Sequence, residues 1–197
     1  MILVVAAMQE EVKEIINYPY ESVKVILTGV GKVNAARALT EAILKYDVEM
    51  IFNLGFAGAT KPFQVGDVVV VDHATYHDFD LSMFGYDKGQ VPHHPTQLNS
   101  NLAMLNELNN KISHMKKGHL MTGDYFMTRE YEHPIVVDME GAALYQVAYF
   151  YKIPILSIKV VSDIIGMKDH LDHYKKFEQD QGAIALRIIY QTLFEGK

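Results

Sequence analysis

Asp163 closes an apolar run, residues 153–162, with a carboxylate. The run reads as a buried strand of a parallel sheet, and in open α/β sheets ligands gather beyond the carboxyl ends of such strands. Asp163 is therefore placed for chemistry, and it is also placed to cap a following helix, a role that Asp favours. Near the N-terminus, residues 2–7 read as a strand and 8–16 as its helix, with Glu10 and Glu11 in the first turn. The helix dipole alone would favour anions there. Val136-Val137-Asp138-Met139-Glu140-Gly141 sets further carboxylates at a strand end, and Thr122-Gly123-Asp124-Tyr125-Phe126-Met127 is a turn ending in an aromatic and a thioether. Carboxylates at three strand ends with an aromatic nearby suit a nucleoside better than a phosphate or a nucleic acid.

Positioning these groups takes a substantial core. The chain has 197 residues, 49% of them hydrophobic, with no Gly/Ser/Pro-rich linker, and we read it as one domain over residues 1–197. Strands are expected at 2–6, 23–27, 50–53, 67–72, 119–121, 135–138 and 155–161, and helices at 8–16, 33–46, 99–110, 141–151 and 171–194. Strands alternating with helices imply βαβ units and an α/β fold with a central mixed, mostly parallel twisted sheet flanked by helices. Residues 78–98 have no strong period, and loops of that length in a compact domain are often functional.

Net charge of −6 and a pI near 5.8 leave no basic stripe for nucleic acid or an anionic membrane, so a small molecule is the expected partner. No apolar run approaches the ~20 residues of a membrane helix, and the apolar start lacks the basic region of a signal peptide. The absence of cysteine excludes disulfides and thiolate metal sites and agrees with a cytoplasmic location. Among nine histidines, His93-His94 and His170-x-x-His173 come nearest to ligand spacing, but without a supporting carboxylate pattern they read as surface residues, and no metal is expected. Gly29-Val30-Gly31-Lys32 lacks Walker spacing and reads as a tight turn that lets backbone approach a ligand.

Ala7-Met8-Gln9-Glu10-Glu11-Val12, Gly29-Val30-Gly31-Lys32-Val33, Asn53-Leu54-Gly55-Phe56-Ala57-Gly58, Tyr76-His77-Asp78, Phe84-Gly85-Tyr86, Asp138-Met139-Glu140-Gly141 and Ser162-Asp163 follow one another in this order. In that order the chain resembles the 5′-methylthioadenosine/S-adenosylhomocysteine nucleosidases of the purine nucleoside phosphorylase superfamily, over nearly its whole length. The resemblance implies the three-layer α/β/α arrangement of that superfamily and a cytoplasmic, cofactor-free, homodimeric hydrolase of methionine salvage. Its substrate would be a purine nucleoside, whose glycosidic bond is cut to release adenine.

Such a cleavage needs a proton for the leaving purine, stabilisation of a cationic sugar and an activated water. By resemblance, Asp163 aided by Ser162 is the acid, Glu11 the base that activates water, and Glu140 the ribose ligand whose charge favours the cationic sugar. Met139 would pack beside the ribose, Phe126 would stack on the purine, and the backbone of Met127 would read its edge. Met8, Val30, Phe56, Ala57, Gly58, Asp138 and Lys159 complete the implied substrate site. Leu81, Phe84 and Pro92 would reach across the dimer to the neighbour's substrate. Glu10 adjoins Glu11, but helix neighbours point about 100° apart, so only one of them should face a pocket.

Three positions depart from the family pattern. Phe56 stands where serine is common, Lys159 where arginine is, and Asp138 where glutamate is. A Lys point charge does not reproduce the fork of Arg, so a nucleoside-binding protein without turnover is one competing reading; the superfamily itself supplies the second, a phosphorylase. The second needs arginines, and Arg37, Arg129 and Arg187 lie in no matching motif. The segments 14–23 and 128–134 are also short for the family, which is expected to open the sheet and reshape the pocket rim.

Overall fold

The computed structural model describes residues 1–112, 115–129, 131–167, 174, 175, 177 and 181–195. Its elements run β1 (Ile2–Ala6), α1 (Gln9–Val12), β2 (Val23–Leu27), α2 (Lys32–Lys45), β3 (Met50–Ala59), β4 (Val68–Tyr76), β5 (Leu98–Asn99), α3 (Leu102–Lys111), β6 (Lys116–Thr122), β7 (Ile135–Asp138), α4 (Gly141–Tyr151), β8 (Ile155–Ile164) and α5 (Gly182–Phe194).

β1 and β8 are buried at every position, as strands covered on both faces must be, and so they read as continuous apolar runs. Their side chains still alternate between two cores, because successive residues of a strand face opposite ways. Leu3 and Val5 join the core beneath α2 and α4, whereas Ile2, Val4 and Ala6 join the one formed with α3 and α5. Helix α2 shows the matching period, burying Ala35, Ala38, Leu39 and Ala42 on one face. The result is a three-layer α/β/α molecule with a core on each side of the sheet.

Strands β2, β1 and β3 run parallel. From β3 the sheet closes on itself: β8 pairs in parallel with β3 and antiparallel with β4, β6 pairs in parallel with β4 and β7, and β7 returns antiparallel to the end of β3. Five strands thus form a ring, and β5 extends β4 at the edge. The expected sheet is mixed and mostly parallel as read, but the closure has no local signature in the sequence.

Some boundaries differ from those expected. Helix α1 stops at Val12 and turns follow, with Pro19 ahead excluding a long helix. Residue 99 belongs to β5, where it pairs with His73, and α3 starts only after Asn101, whose side chain accepts the N–H of Met104 as an N-cap. Strands β3, β4 and β6 are longer than expected, extending to Ala59, Tyr76 and Thr122. Of the helix expected over 171–194, Gly182–Phe194 is described, and His170 and His173 lie outside the described residues. No described helix is long and apolar enough to cross a membrane.

Candidate active site

The carboxyl ends of β1, β2, β6, β7 and β8 and the second half of β3 surround a cavity of about 220 Å³. Its walls include Asp163 and Ser162 from β8, Glu11 and Met8 from the turn into α1, and Asp138, Met139 and Glu140 from the end of β7. Phe56, Ala57, Gly58, Val30, Phe126 and Met127 complete the contribution of the residues singled out in the sequence.

Asp163 reaches the cavity through an irregularity. In the β3–β8 ladder Ala57 faces Val161 but Gly58 faces Asp163, so Ser162 is one residue too many and the register shifts. Such bulges re-aim the side chains around them. The carboxyl group is buried, and an added Cβ at Gly58 would lie 3.1 Å from its Oδ2. Ser162 Oγ stands 2.7 Å from Asp163 Oδ1 and 3.1 Å from the carbonyl of Ala57. Its single proton can go to the carboxylate; turned to Ala57, the hydroxyl can instead accept from a protonated Asp163. The serine therefore serves both states of an acid that gives up and regains a proton.

Glu11 is buried, and Glu10 beside it is exposed. Three backbone N–H groups hold the Glu11 carboxylate: Ala7 at 2.7 Å and Met8 at 3.0 Å donate to Oε2, and Phe56 at 2.9 Å donates to Oε1. Gly55 permits the approach, since a Cβ there would meet Oε1 at 2.5 Å. Burial raises the Glu11 pKa, opposed by the Lys159 charge and by those N–H groups. A carboxylate held in this way is more basic than one in water, as a general base requires, and the three N–H donors favour its charged form.

The departures from the family pattern have structural partners. Lys159 does not line the cavity; buried behind it, its Nζ lies 2.9 Å from Asp138 Oδ2. Asp138 Oδ1 accepts from Thr122 Oγ1 at 2.6 Å, and the Gly141 N–H points at both oxygens. Although Asp138 touches the cavity, its carboxylate is thus engaged in the wall. Burial works against the Lys159 charge, but Asp138, Glu11 and Glu140 outweigh it and raise its pKa. Phe56 presents backbone to Glu11 while its ring turns into the core, edge-on to Phe177 at 5.6 Å, in room left by Gly182.

Glu140 is buried at the start of α4, and its Oε1 accepts the Gly31 N–H at 2.8 Å. Burial, then the neighbouring Asp138 charge, push its pKa up to about 7, against the pull of Gly31 and Lys159. Phe126 and Tyr125 form a half-exposed aromatic rim, and Tyr174 crosses Phe126 edge-on at 6.1 Å. Tyr125 and Tyr174, with Ala7, Val137 and Ile165, also line the cavity and were not singled out. Tyr125 lay inside a quoted motif; Tyr174 follows the last motif and carries no local signal.

Leu81, Phe84 and Pro92 do not line this cavity; Phe84 is 77% exposed on a short 3-10 turn of the long loop. Among the described residues no group of three or more His or acidic side chains is disposed to hold a metal. His94, one of the pair noted in the sequence, instead contacts Gln146 at 3.1 Å. The arrangement sets a buried acid with a serine relay and a backbone-held base around one apolar and aromatic cavity, with a third carboxylate in its wall. That set can protonate a flat leaving group and activate water against the atom it leaves.

Comparison with known proteins adds three findings. The family model described as the phosphorylase superfamily matches residues 21–191. A 5′-methylthioadenosine/S-adenosylhomocysteine nucleosidase of Oceanobacillus iheyensis is 35% identical over 188 residues, covering 86% of this chain and 80% of that protein. A Borrelia burgdorferi structure bound to adenine superposes with a TM-score of 0.89 at 31% identity, covering 98% of both chains. The nucleosidase of S. pneumoniae bearing the transition-state inhibitor MT-ImmA superposes at 0.85 with 25% identity, covering 98% of this chain and 96% of that one.

Proposed function

The chain belongs to the phosphorylase superfamily, among its 5′-methylthioadenosine/S-adenosylhomocysteine nucleosidases, and from that premise we propose how its cavity hydrolyses the N-glycosidic bond of these nucleosides to release adenine. The observation that carries the proposal is the pairing of Asp163 and its serine with a Glu11 held by three N–H groups around one cavity.

Asp163 donates its proton to a ring nitrogen of the purine, so that the electron pair of the breaking bond leaves with a neutral base. Glu11 takes a proton from water as its oxygen bonds to the sugar carbon. Glu140 holds the ribose hydroxyls, and its negative charge favours the cationic sugar between the two events. Phe126 stacks on the purine, with Met127 at its edge and Met139 beside the ribose. Lys159 and Asp138 act from the wall, as a buried pair that limits the build-up of negative charge.

Hydrolysis is favoured over phosphorolysis because no arginine lines the cavity among the described residues. Turnover is favoured over binding alone because Phe56 is directed into the core and Lys159 has its counter-ion. Adenine release from 5′-methylthioadenosine should therefore proceed without phosphate; appearance of a ribose 1-phosphate would reverse this reading.

The same reading makes the protein a homodimer, with Leu81, Phe84 and Pro92 covering the neighbour's 5′-substituent. Exposure of Met83 and Phe84 supports it, since contiguous exposed apolar side chains mark contact surfaces. Light scattering checks it, and a fully active monomer would refute it. We place the enzyme in the cytoplasm, in methionine salvage.

A further inference from the structure

We propose that Lys32 is a positioning residue, which locks the purine-side wall of the cavity, residues 123–127, through an ionic clamp with Asp78 and Asp124. Three motifs far apart in the sequence meet there: the glycine turn ahead of α2, the Tyr-His-Asp end of β4 and the turn after β6. Lys32 Nζ lies 2.6 and 2.8 Å from the two oxygens of Asp78 and 3.5 Å from Asp124 Oδ2. The backbone N–H of Lys32 donates to Asp124 Oδ1 at 2.9 Å, and that of Asp124 donates to Asp78 Oδ2 at 2.8 Å. The Lys32 and Asp78 side chains are only 24% and 16% exposed, so water screens them less than it screens an ordinary surface pair.

The clamp also completes a helix end. Gly31, the residue before α2, supplies no side-chain cap. Asp124 takes the first N–H of α2 and Glu140 that of Gly31, and both carboxylates stand where the helix dipole favours anions. One loop is thereby tied to the same helix end as the ribose ligand. Beneath the loop, His77 packs against Gly123 so closely that a Cβ there would overlap its ring, and the ring lies edge-on to Tyr125 at 4.6 Å. Burial lowers the His77 pKa, which keeps a second cation away from Lys32 and Asp78. Burial acts to raise the Asp78 pKa, but Lys32 and the Asp124 N–H hold it below the ordinary carboxylate range.

The wall so held carries Tyr125, Phe126 and Met127 and none of the groups assigned to proton transfer. It contacts the purine in the bound and the transition state alike, so loosening it weakens binding more than chemistry. The kinetic part of this inference rests on the nucleosidase reading; the structural part does not. Lys32→Met should raise KM about tenfold while kcat stays within about threefold, as loss of a charge-assisted contact of this kind implies. Amide exchange at residues 123–127 should quicken, and Lys32→Arg should restore both. Unchanged KM and unchanged exchange would overturn the proposal, as would a joint fall of kcat and melting temperature with exchange unaltered, which marks a purely structural tie. Should Lys32→Met fail to fold, Asp78→Asn keeps the shape, removes one charge and is held to the same outcomes. A wild type that releases no adenine would instead sink the nucleosidase reading, and exchange at 123–127 would still decide the clamp.

Discussion

Asp163 and Glu11 are both buried carboxyl groups, and what separates their assigned roles is the company each keeps. Glu11 is met by three N–H donors that favour the charged form, whereas Asp163 is met by a hydroxyl able to accept as well as donate. Asp163→Asn should therefore lower kcat by about 10²–10⁴-fold, the usual worth of a general acid, while a non-hydrolysable nucleoside still binds. Titration calorimetry beside an adenine-release assay reads both quantities. Glu11→Gln should cost a similar factor and Glu10→Gln little. The two changes remove the same charge from the same helix, so their contrast isolates the cavity-facing group. A crippled Glu10→Gln with a mild Glu11→Gln would show that the motif is set one residue out.

Strands β3 and β8 do most of the positioning, because each delivers part of the cavity wall at its end and a core contribution along its length. The glycines of Asn53-Leu54-Gly55-Phe56-Ala57-Gly58 leave space for Glu11 at one position and Asp163 at another. Phe56 faces the core opposite to Gly55, as strand alternation demands, and closes on Phe177. Phe56→Ala should thus destabilise the fold by about 3 kcal/mol or more, as expected for a buried Phe, and denaturant unfolding measures it. A change much smaller than this would mean that the ring is not core. The sequence displayed β8 as a long apolar run, but of β3 it displayed only residues 50–53, because the glycines that follow interrupt the apolar pattern. It did not display β5, two residues whose strand state depends on lying beside His73 rather than on their own propensity.

At the scale of the whole molecule, Glu11, Asp138 and Glu140 share one buried region with the cation of Lys159, the one buried lysine among the described residues. Folding therefore works against ionising Glu140. Its pKa rises from 4.5 in the open chain to about 7 in the native state. Between those values the native protein holds a proton that the unfolded chain has released, and stability from this group is full below 4.5 and lost as pH rises through about 7. Melting curves should show wild type losing stability relative to Glu140→Gln over that interval, and a flat difference would exclude the shift. An inhibitor with a positive charge in place of the sugar cation should bind wild type more tightly as pH rises through the same range. The Gln variant should lose that dependence.

The sequence alone determined the alternation of strands and helices, the strand-end placement of Asp163, Glu11 and Glu140, and the order of motifs that identifies the family. These are local properties: apolar periodicity and short-range spacing do not depend on what packs against them. Tertiary structure alone decided that β7 and β8 close the sheet into a ring, since those pairings join segments with no shared local signal. It also decided that two departures from the family pattern, Asp138 and Lys159, are partners at 2.9 Å, and that Lys32, Asp78 and Asp124 form one clamp. Opposite charges far apart in sequence cannot be matched by reading along the chain, because which of many candidates meet is set by the packing of the elements between them.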